Sequence, residues 1–185
     1  MGIIISSFPG CGKTYLINTH GDKVKILNAG IDFVEQNGEY DYNLFVDKVM
    51  EVVGDYDIVF IPSGKGFLSA FDSRNIDYDL FYPSKERRGE FIENAVRKRL
   101  PHNSIMTLDR VFNEHIDRFD AIEAENCYKH KMSEQGHFLG TDSAIMQYIN
   151  NVKQTSRKNE QNQEKGVEES SRGESDNEEN ERGNA

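Results

Sequence analysis

Cysteine is scarce in this chain, long apolar runs are missing, and positive charge is outnumbered. The 185 residues include two cysteines, Cys11 and Cys127. That fits a reducing compartment and argues against a disulfide scaffold. No apolar run reaches the length of a membrane-spanning helix, and the first residues lack the layout of a signal peptide, so a cytoplasmic protein without a membrane partner is expected. Lysine and arginine number 22 against 32 aspartates and glutamates, a net charge of −10. A protein that coats nucleic acid is usually basic, so this balance argues against broad DNA binding while leaving room for a local basic cleft. His20, His102, His115, His130 and His137 show no zinc spacing with either cysteine. No Asn-Lys-x-Asp run is present to read guanine, and no Gly-x-Ser-x-Gly elbow or Cys-His pairing suggests a hydrolase.

What is present has the length of one domain and then a change of composition. From about Lys153 the only aliphatic residues are Val167 and Ala185, among six basic and nine acidic residues. Such a segment cannot bury enough apolar surface to offset its ordering entropy, which predicts a folded domain over residues 1–152 and a disordered acidic tail over 153–185. The tail is a candidate arm for a protein partner; a solvated tail without a specific role is the simpler reading.

Within the domain, short apolar runs predict strands at Gly2–Ser6, Val24–Leu27, Asp57–Pro62, Tyr78–Tyr82 and Cys127–Met132. Helical spacing appears between them. Tyr42, Phe45, Val46, Val49, Met50 and Val53 fall on one face, and so do Leu108, Val111, Phe112, Ile116 and Phe119. A more polar helix is expected over about Lys85 to Arg99, and Asp142 to Asn151, capped by Thr141, closes the domain. Strands alternating with helices imply an α/β fold, a mainly parallel five-stranded sheet covered on both faces. Ligands of such sheets bind beyond the carboxyl ends of the strands, where Ser7–Thr14, Asn28–Gly30, Ser63–Lys65 and Ser84–Arg88 would gather.

The first of these segments carries the most chemistry. "SSFPGCGKTYL", residues 6 to 16, has the G-x-x-x-x-G-K-[ST] pattern of a phosphate-binding loop except that Ser7 replaces the first glycine. Serine suits a position with ordinary backbone angles. The candidate nucleotide-binding residues are Ser7, Phe8, Pro9, Gly10, Cys11, Gly12, Lys13, Thr14 and Tyr15. Gly10 and Gly12 let backbone N–H groups approach phosphate oxygens, and a helix opening at Lys13 adds its positive end. Lys13 can follow the terminal phosphates as a mobile charge, and the Thr14 hydroxyl is placed to ligate Mg²⁺. Cys11 reads as a small filler rather than a reactive thiol.

The stretch "IISSFPGCGKTYL" resembles the opening of small P-loop nucleotide kinases, particularly phage-encoded ones. "DYDIVFIPSGKGFLSAFDSRNIDYDLFYPSKERRGEFIENAVRKR" resembles their third strand, helix, fourth strand and arginine-bearing helix. "HKMSEQGHFLGTDSAI" resembles their last strand and closing helix. The resemblance covers most of residues 2 to 150 and implies a three-layer P-loop NTPase fold, ATP and Mg²⁺ as cofactors, and phosphoryl transfer to a (deoxy)nucleoside monophosphate, with the host cytoplasm as the location of a phage-encoded enzyme. In the nucleoside-monophosphate kinase group, arginines of a lid-like helix clamp the transferring group; here Arg87, Arg88, Arg97 and Arg99 occupy the matching region. Arg97 and Arg99 are favoured as catalytic residues beside Lys13, with Arg88 next.

This chain also departs from that pattern. The second strand is followed by Asn28-Ala29-Gly30 instead of an acidic residue, with Asp32 the nearest carboxylate. The third strand runs into Pro62-Ser63 without a Walker-B aspartate, and Asp57 stands at its wrong end. Ser63 or Lys65 is left to touch the acceptor or the phosphates. Two alternatives stay open: a related kinase that phosphorylates a hydroxymethylated base within DNA, nucleic acid then being a substrate, and an ATP-binding module without transferase activity. Tyr78, Phe81 and Tyr82 are candidates to stack on a base, although packing in the core explains them more simply.

Overall fold

Isoleucines 3 to 5 and serines 6 and 7 are all buried, on alternating sides of one strand, so that strand has structure on both of its faces. The computed structural model describes residues 2–28, 33, 38–136, 138, 139, 147, 150 and 151. The closing helix expected at 142–151 with its cap Thr141, the loop residues Ala29, Gly30 and Asp32, His137 and the tail 153–185 lie outside the described residues or almost wholly so.

The elements run in the order β1 (Ile3–Ser7), α1 (Lys13–His20), β2 (Val24–Ile26), α2 (Tyr42–Val52), β3 (Ile58–Ile61), α3 (Lys65–Ser73), β4 (Tyr78–Pro83), α4 (Arg88–Arg97), α5 (His102–Asp120) and β5 (Cys127–Met132). The five strands form one sheet in the order β2-β3-β1-β4-β5. Every pairing is parallel: Ile3 lies beside Ile58, Ile5 beside Asp79, Val24 beside Ile58, and Phe81 beside His130. The result is an α/β fold with an all-parallel sheet, in an order shared by P-loop and Rossmann-like folds. The five predicted strands coincide with the observed ones to within a residue or two at each end.

Burial grades from the centre to the edges. β1, β3 and β4 are buried at every residue, whereas β5 is buried only at its first and last residues. Each fully buried Ile or Phe contributes about 1.5–3 kcal/mol relative to exposure, so the three central strands carry much of the core's driving force. Helix α2 packs on α3, and α4 packs on α5. The predicted face of α2 is the buried one, with Phe45, Val46 and Val49 inside, and Phe112, Ile116 and Phe119 bury the face of α5. Tyr78, Phe81 and Tyr82 are core residues; the Tyr78 and Tyr82 hydroxyls donate to Asp72 at 2.9 Å and to Asp120 at 2.8 Å. They therefore present no free ring to a ligand. Among the described residues no helix is long and apolar enough to cross a membrane.

Candidate functional site

At the carboxyl end of β1, Ser7 still pairs with Phe81 of β4, so its backbone is extended and does not call for glycine. The missing glycine of the motif is thus accommodated without strain. The next residue, Phe8, turns its ring into the core among Phe112 at 5.0 Å, Phe91 at 5.7 Å and Phe119 at 6.4 Å, while its N–H donates to the Phe81 carbonyl at 2.9 Å. This ring anchors the start of the loop. Pro9 and Gly10 lie at the surface.

The two remaining glycines are required by geometry. Gly10 and Gly12 have φ of 91° and 103°, in the left-handed region that side chains disfavour. A β-carbon at Gly12 would stand 2.7 Å from the Leu139 carbonyl oxygen, and one at Gly10 would press on the Phe91 ring at 3.2 Å. The loop closes through Cys11, whose N–H donates to Phe8 and whose carbonyl accepts from Leu139 at 2.8 Å. The Cys11 side chain is fully buried, and burial pushes its thiol up to about 12. It fills the space beneath the loop, and a raised thiol pKa disfavours the reactive thiolate.

Gly12 is the N-cap of α1 and makes no side-chain cap. Among the described residues the N–H groups of Gly12, Lys13 and Thr14 meet no backbone acceptor, as expected of a helix's first donors. These donors and the helix's positive end make an anion seat. The Lys13 ammonium folds back over the loop, donating to the Ser7 hydroxyl at 3.0 Å and to the Ser7 carbonyl at 3.3 Å. Burial lowers its pKa below the usual lysine value, with Cys11 opposing the shift.

Two cavities open on either side of this lysine. One, of about 320 Å³, lies between the loop and the α4–α5 pair and is lined by Gly12, Lys13, Thr14, Phe91, Asn94 and Lys98 among others. The second, of about 440 Å³, lies beyond the ends of β1, β2 and β3, where Ser7, Lys13, Asn28, Pro62, Ser63 and Gly64 contribute. Both have the size of small-ligand pockets. Pro9 and Lys13 belong to both.

Of the residues expected at the site, Ser7, Pro9, Gly10, Gly12, Lys13, Thr14 and Tyr15 line one cavity or the other, while Phe8 and Cys11 support the loop from beneath. Ser63 is at the second cavity; Lys65 is exposed at the start of α3 and lines neither. Asp57 sits just before β3, at the opposite end of the sheet, with its N–H on the Lys23 carbonyl at 2.9 Å. The segment Ser84–Arg88 turns inward at Ser84 and Arg87, which are buried. Arg87 pairs with Glu90 at 2.8 Å and lies over the rings of Phe91 and Phe138, a supporting position.

Of the other expected arginines, Arg88, Arg97 and Arg99, none lines either cavity. Arg88 pairs with Asp109 of α5 at 2.8 Å, Arg97 donates to Asn94, and Arg99 is exposed in the turn after α4, at φ 54°. In their place α4 offers Asn94 and Lys98, which sequence reasoning missed. The signal was available: Phe91, Asn94, Ala95 and Lys98 follow the i, i+3, i+4, i+7 spacing of one helix face, and Arg97 falls off that stripe. A third missed residue is Arg118 of α5. Its guanidinium donates to the Ser63 carbonyl at 2.9 Å and so fixes one wall of the second cavity.

No protein-family model matches the chain, and no curated protein matches it either. The functional reading therefore rests on the loop, its lysine and the two cavities.

Proposed function

We propose that this protein is an ATP-dependent phosphotransferase that moves the terminal phosphate of ATP to a (deoxy)nucleoside monophosphate. The observation that carries this reading is the position of Lys13, a single ammonium common to two ligand-sized cavities, at the mouth of a helix whose first N–H groups meet no backbone acceptor among the described residues. A nucleotide-binding module needs one cavity at its phosphate loop; a transferase needs two, meeting where the phosphoryl group passes.

In this reading the cavity against α4 takes the donor, whose phosphates rest on the N–H groups of Gly12, Lys13 and Thr14. The Thr14 hydroxyl, exposed beside Lys13, fits a Mg²⁺ held otherwise by phosphate oxygens and water, an ion that dehydrates reluctantly. Bound there, Mg²⁺ would neutralise phosphate charge. Lys13 leaves Ser7 and follows the charge as it spreads over the transferring group. Lys98 adds positive charge from the far wall. Arg97 and Arg99 flank Lys98, and closure of that turn over the phosphates would bring their charge in; Arg88 must first leave Asp109. The acceptor takes the second cavity, against Ser63 and Asn28.

The test is transfer of labelled phosphate from ATP with Mg²⁺ to a panel of ribo- and deoxyribonucleoside monophosphates, and to duplex DNA with and without 5-hydroxymethyluracil. Label on a monophosphate, lost in Lys13→Ala, is the expected result. Label on modified DNA alone would move the acceptor to a base within a strand. ATP binding with no transfer to any acceptor would overturn the transferase reading.

A further inference from the structure

With Tyr78, Phe81 and Tyr82 enclosed in the core, exposed rings have to be sought elsewhere. Two of them stand together. Tyr40 and Tyr42 are each 37% exposed, with ring centroids 6.1 Å apart. Their place in the fold follows from chain direction. α2 leads into β3, so it runs against the strands and its first residue, Tyr42, lies at the carboxyl edge of the sheet. α3 leaves β3 at that same edge, through the Ser63–Gly64 wall of the second cavity.

Packing ties the two tyrosines to that wall. Phe67, in the first turn of α3, meets Tyr42 edge-on at 4.9 Å and Tyr40 at 5.4 Å. Phe67 also lies close to the cavity wall, since a β-carbon at Gly64 would stand 3.2 Å from its ring. Tyr42 itself is held against backbone: a β-carbon at Gly66 would fall 2.3 Å from the Tyr42 ring, so only glycine lets the ring lie there. The residue between the tyrosines is also fixed. Asp41 caps α2 by accepting from the Leu44 N–H at 2.8 Å, and its own N–H donates to the Phe33 carbonyl at 2.7 Å. Phe33 in turn packs on Phe45, which packs on Phe67. The two tyrosines thus form a ledge held by packing on Phe67 and Gly66, which lowers the conformational entropy to be lost on binding.

A pair of amphipathic rings joined through Phe67 to the Gly64 wall of a cavity that Lys13 also lines suits a ligand that is flat and apolar at one end and anionic at the other. We propose that Tyr40 and Tyr42 form the surface on which the base of the phosphate acceptor stacks. This inference rests on the phosphotransferase reading of the second cavity. The chemistry recognised is a heteroaromatic base, and stacking is tolerant of which base it is because each has a π-face. Discrimination among bases then falls to polar groups such as Asn28 and Ser63. A free nucleotide and a base turned out of a strand share this chemistry.

The test compares wild type with Tyr40→Leu and Tyr42→Leu, which keep apolar bulk and lose the ring, and with the corresponding Phe variants, which keep it. Calorimetry would measure binding of the preferred monophosphate, of a short single-stranded oligonucleotide, of ribose 5-phosphate as the baseless control, and of ATP. The expected result is a rise in Kd for the base-bearing acceptor of about 5- to 100-fold in the Leu variants. The Phe variants should bind as wild type does, and ribose 5-phosphate and ATP should change by less than about twofold. Whichever of the mononucleotide and oligonucleotide shows the ring-dependent loss is the source of the base. Unchanged acceptor binding in both Leu variants, with transfer intact, would overturn the ledge and leave the phosphotransferase standing. Equal loss for ribose 5-phosphate would also overturn it, as a sign of general damage to the cavity. Wild-type protein that binds ATP but no base-bearing acceptor would overturn both.

Discussion

The Lys13 ammonium sits 3.0 Å from the Ser7 hydroxyl, the side chain at the very position where the phosphate-loop pattern has glycine. The departure from the motif therefore supplies the lysine with a resting partner. A hydrogen bond to a charged group contributes about 1.5–3 kcal/mol, and this one must be given up when Lys13 turns to a phosphate. Ser7→Ala should tighten ATP binding by up to about tenfold, the Ser7 carbonyl remaining as a weaker competitor. Titration calorimetry of both proteins decides it, and weaker ATP binding in the variant would show that the hydroxyl helps the bound state instead.

Gly12→Ala should damage both fold and site. The left-handed backbone alone costs about 1–3 kcal/mol for a residue with a β-carbon. The contact with the Leu139 carbonyl adds to this, because backbone has little room to give. A thermal midpoint lowered by several degrees, together with lost ATP binding, is expected. Gly21→Ala is a useful control: its φ of 52° is also left-handed, but a β-carbon there meets nothing within 4 Å.

Thiol reagents should not inactivate the native protein. Cys11 lies under the loop with its thiol pushed up to about 12, so thiolate is nearly absent at neutral pH, and Cys127 is buried with its thiol also raised by burial. Iodoacetamide at neutral pH should modify either cysteine at least about 100-fold more slowly than in the unfolded chain. Mass spectrometry after timed quenching would read this, and rapid labelling of Cys11 would mean that the loop opens.

Asp120 should make the fold sensitive to acid. Burial raises its carboxyl pKa, but the hydrogen bonds from Lys131 at 2.7 Å and Tyr82 at 2.8 Å outweigh that and hold it below the usual aspartate value. The unfolded chain then takes up its proton first as pH falls. The stabilisation is whole above the ordinary pKa of about 3.9 and is lost as pH drops toward the folded value. Between about pH 6 and pH 3, Asp120→Asn should lose less of its thermal midpoint than wild type does. Parallel melting curves would show it.

The fold is legible in the sequence where burial is two-sided. Ile3–Ile5 and Ile58–Ile61 are unbroken apolar runs, and Tyr78–Tyr82 is one but for Asp79, because both faces of those strands are covered, and no alternation is needed to find them. The faces of α2 and α5 are legible from their period. Helix α3 is much less so; "KGFLSAFDS" is short and starts on a lysine and a glycine, and it emerges only through the family resemblance. At the site, the loop is legible because its glycines answer to backbone geometry. The lid charges are not. Four arginines stand out by composition, yet which of them faces a cavity depends on how α4 is rotated, and Phe91 and Ala95 set that rotation by burying themselves. That turns Asn94 and Lys98 to the cavity and leaves Arg97 outside. Arg118 could not be found at all, since its partner Ser63 is 55 residues away in the chain.

Phe8 has a mechanical consequence. Its ring is clasped by α4 through Phe91 and by α5 through Phe112 and Phe119, and Phe91 also bears on Gly10. The helix pair and the loop after β1 are thereby packed together as one piece, with no greased joint between them. Swinging α4 and α5 as a door would drag the loop along or tear open the core. The exposed turn from Lys98 to Pro101 could bend at a smaller cost, giving up its hydrogen bonds to α4 but no core packing. If ATP binds beside Lys13, closure there would resemble a latch more than a hinged jaw, a few residues folding down over a seat that does not move.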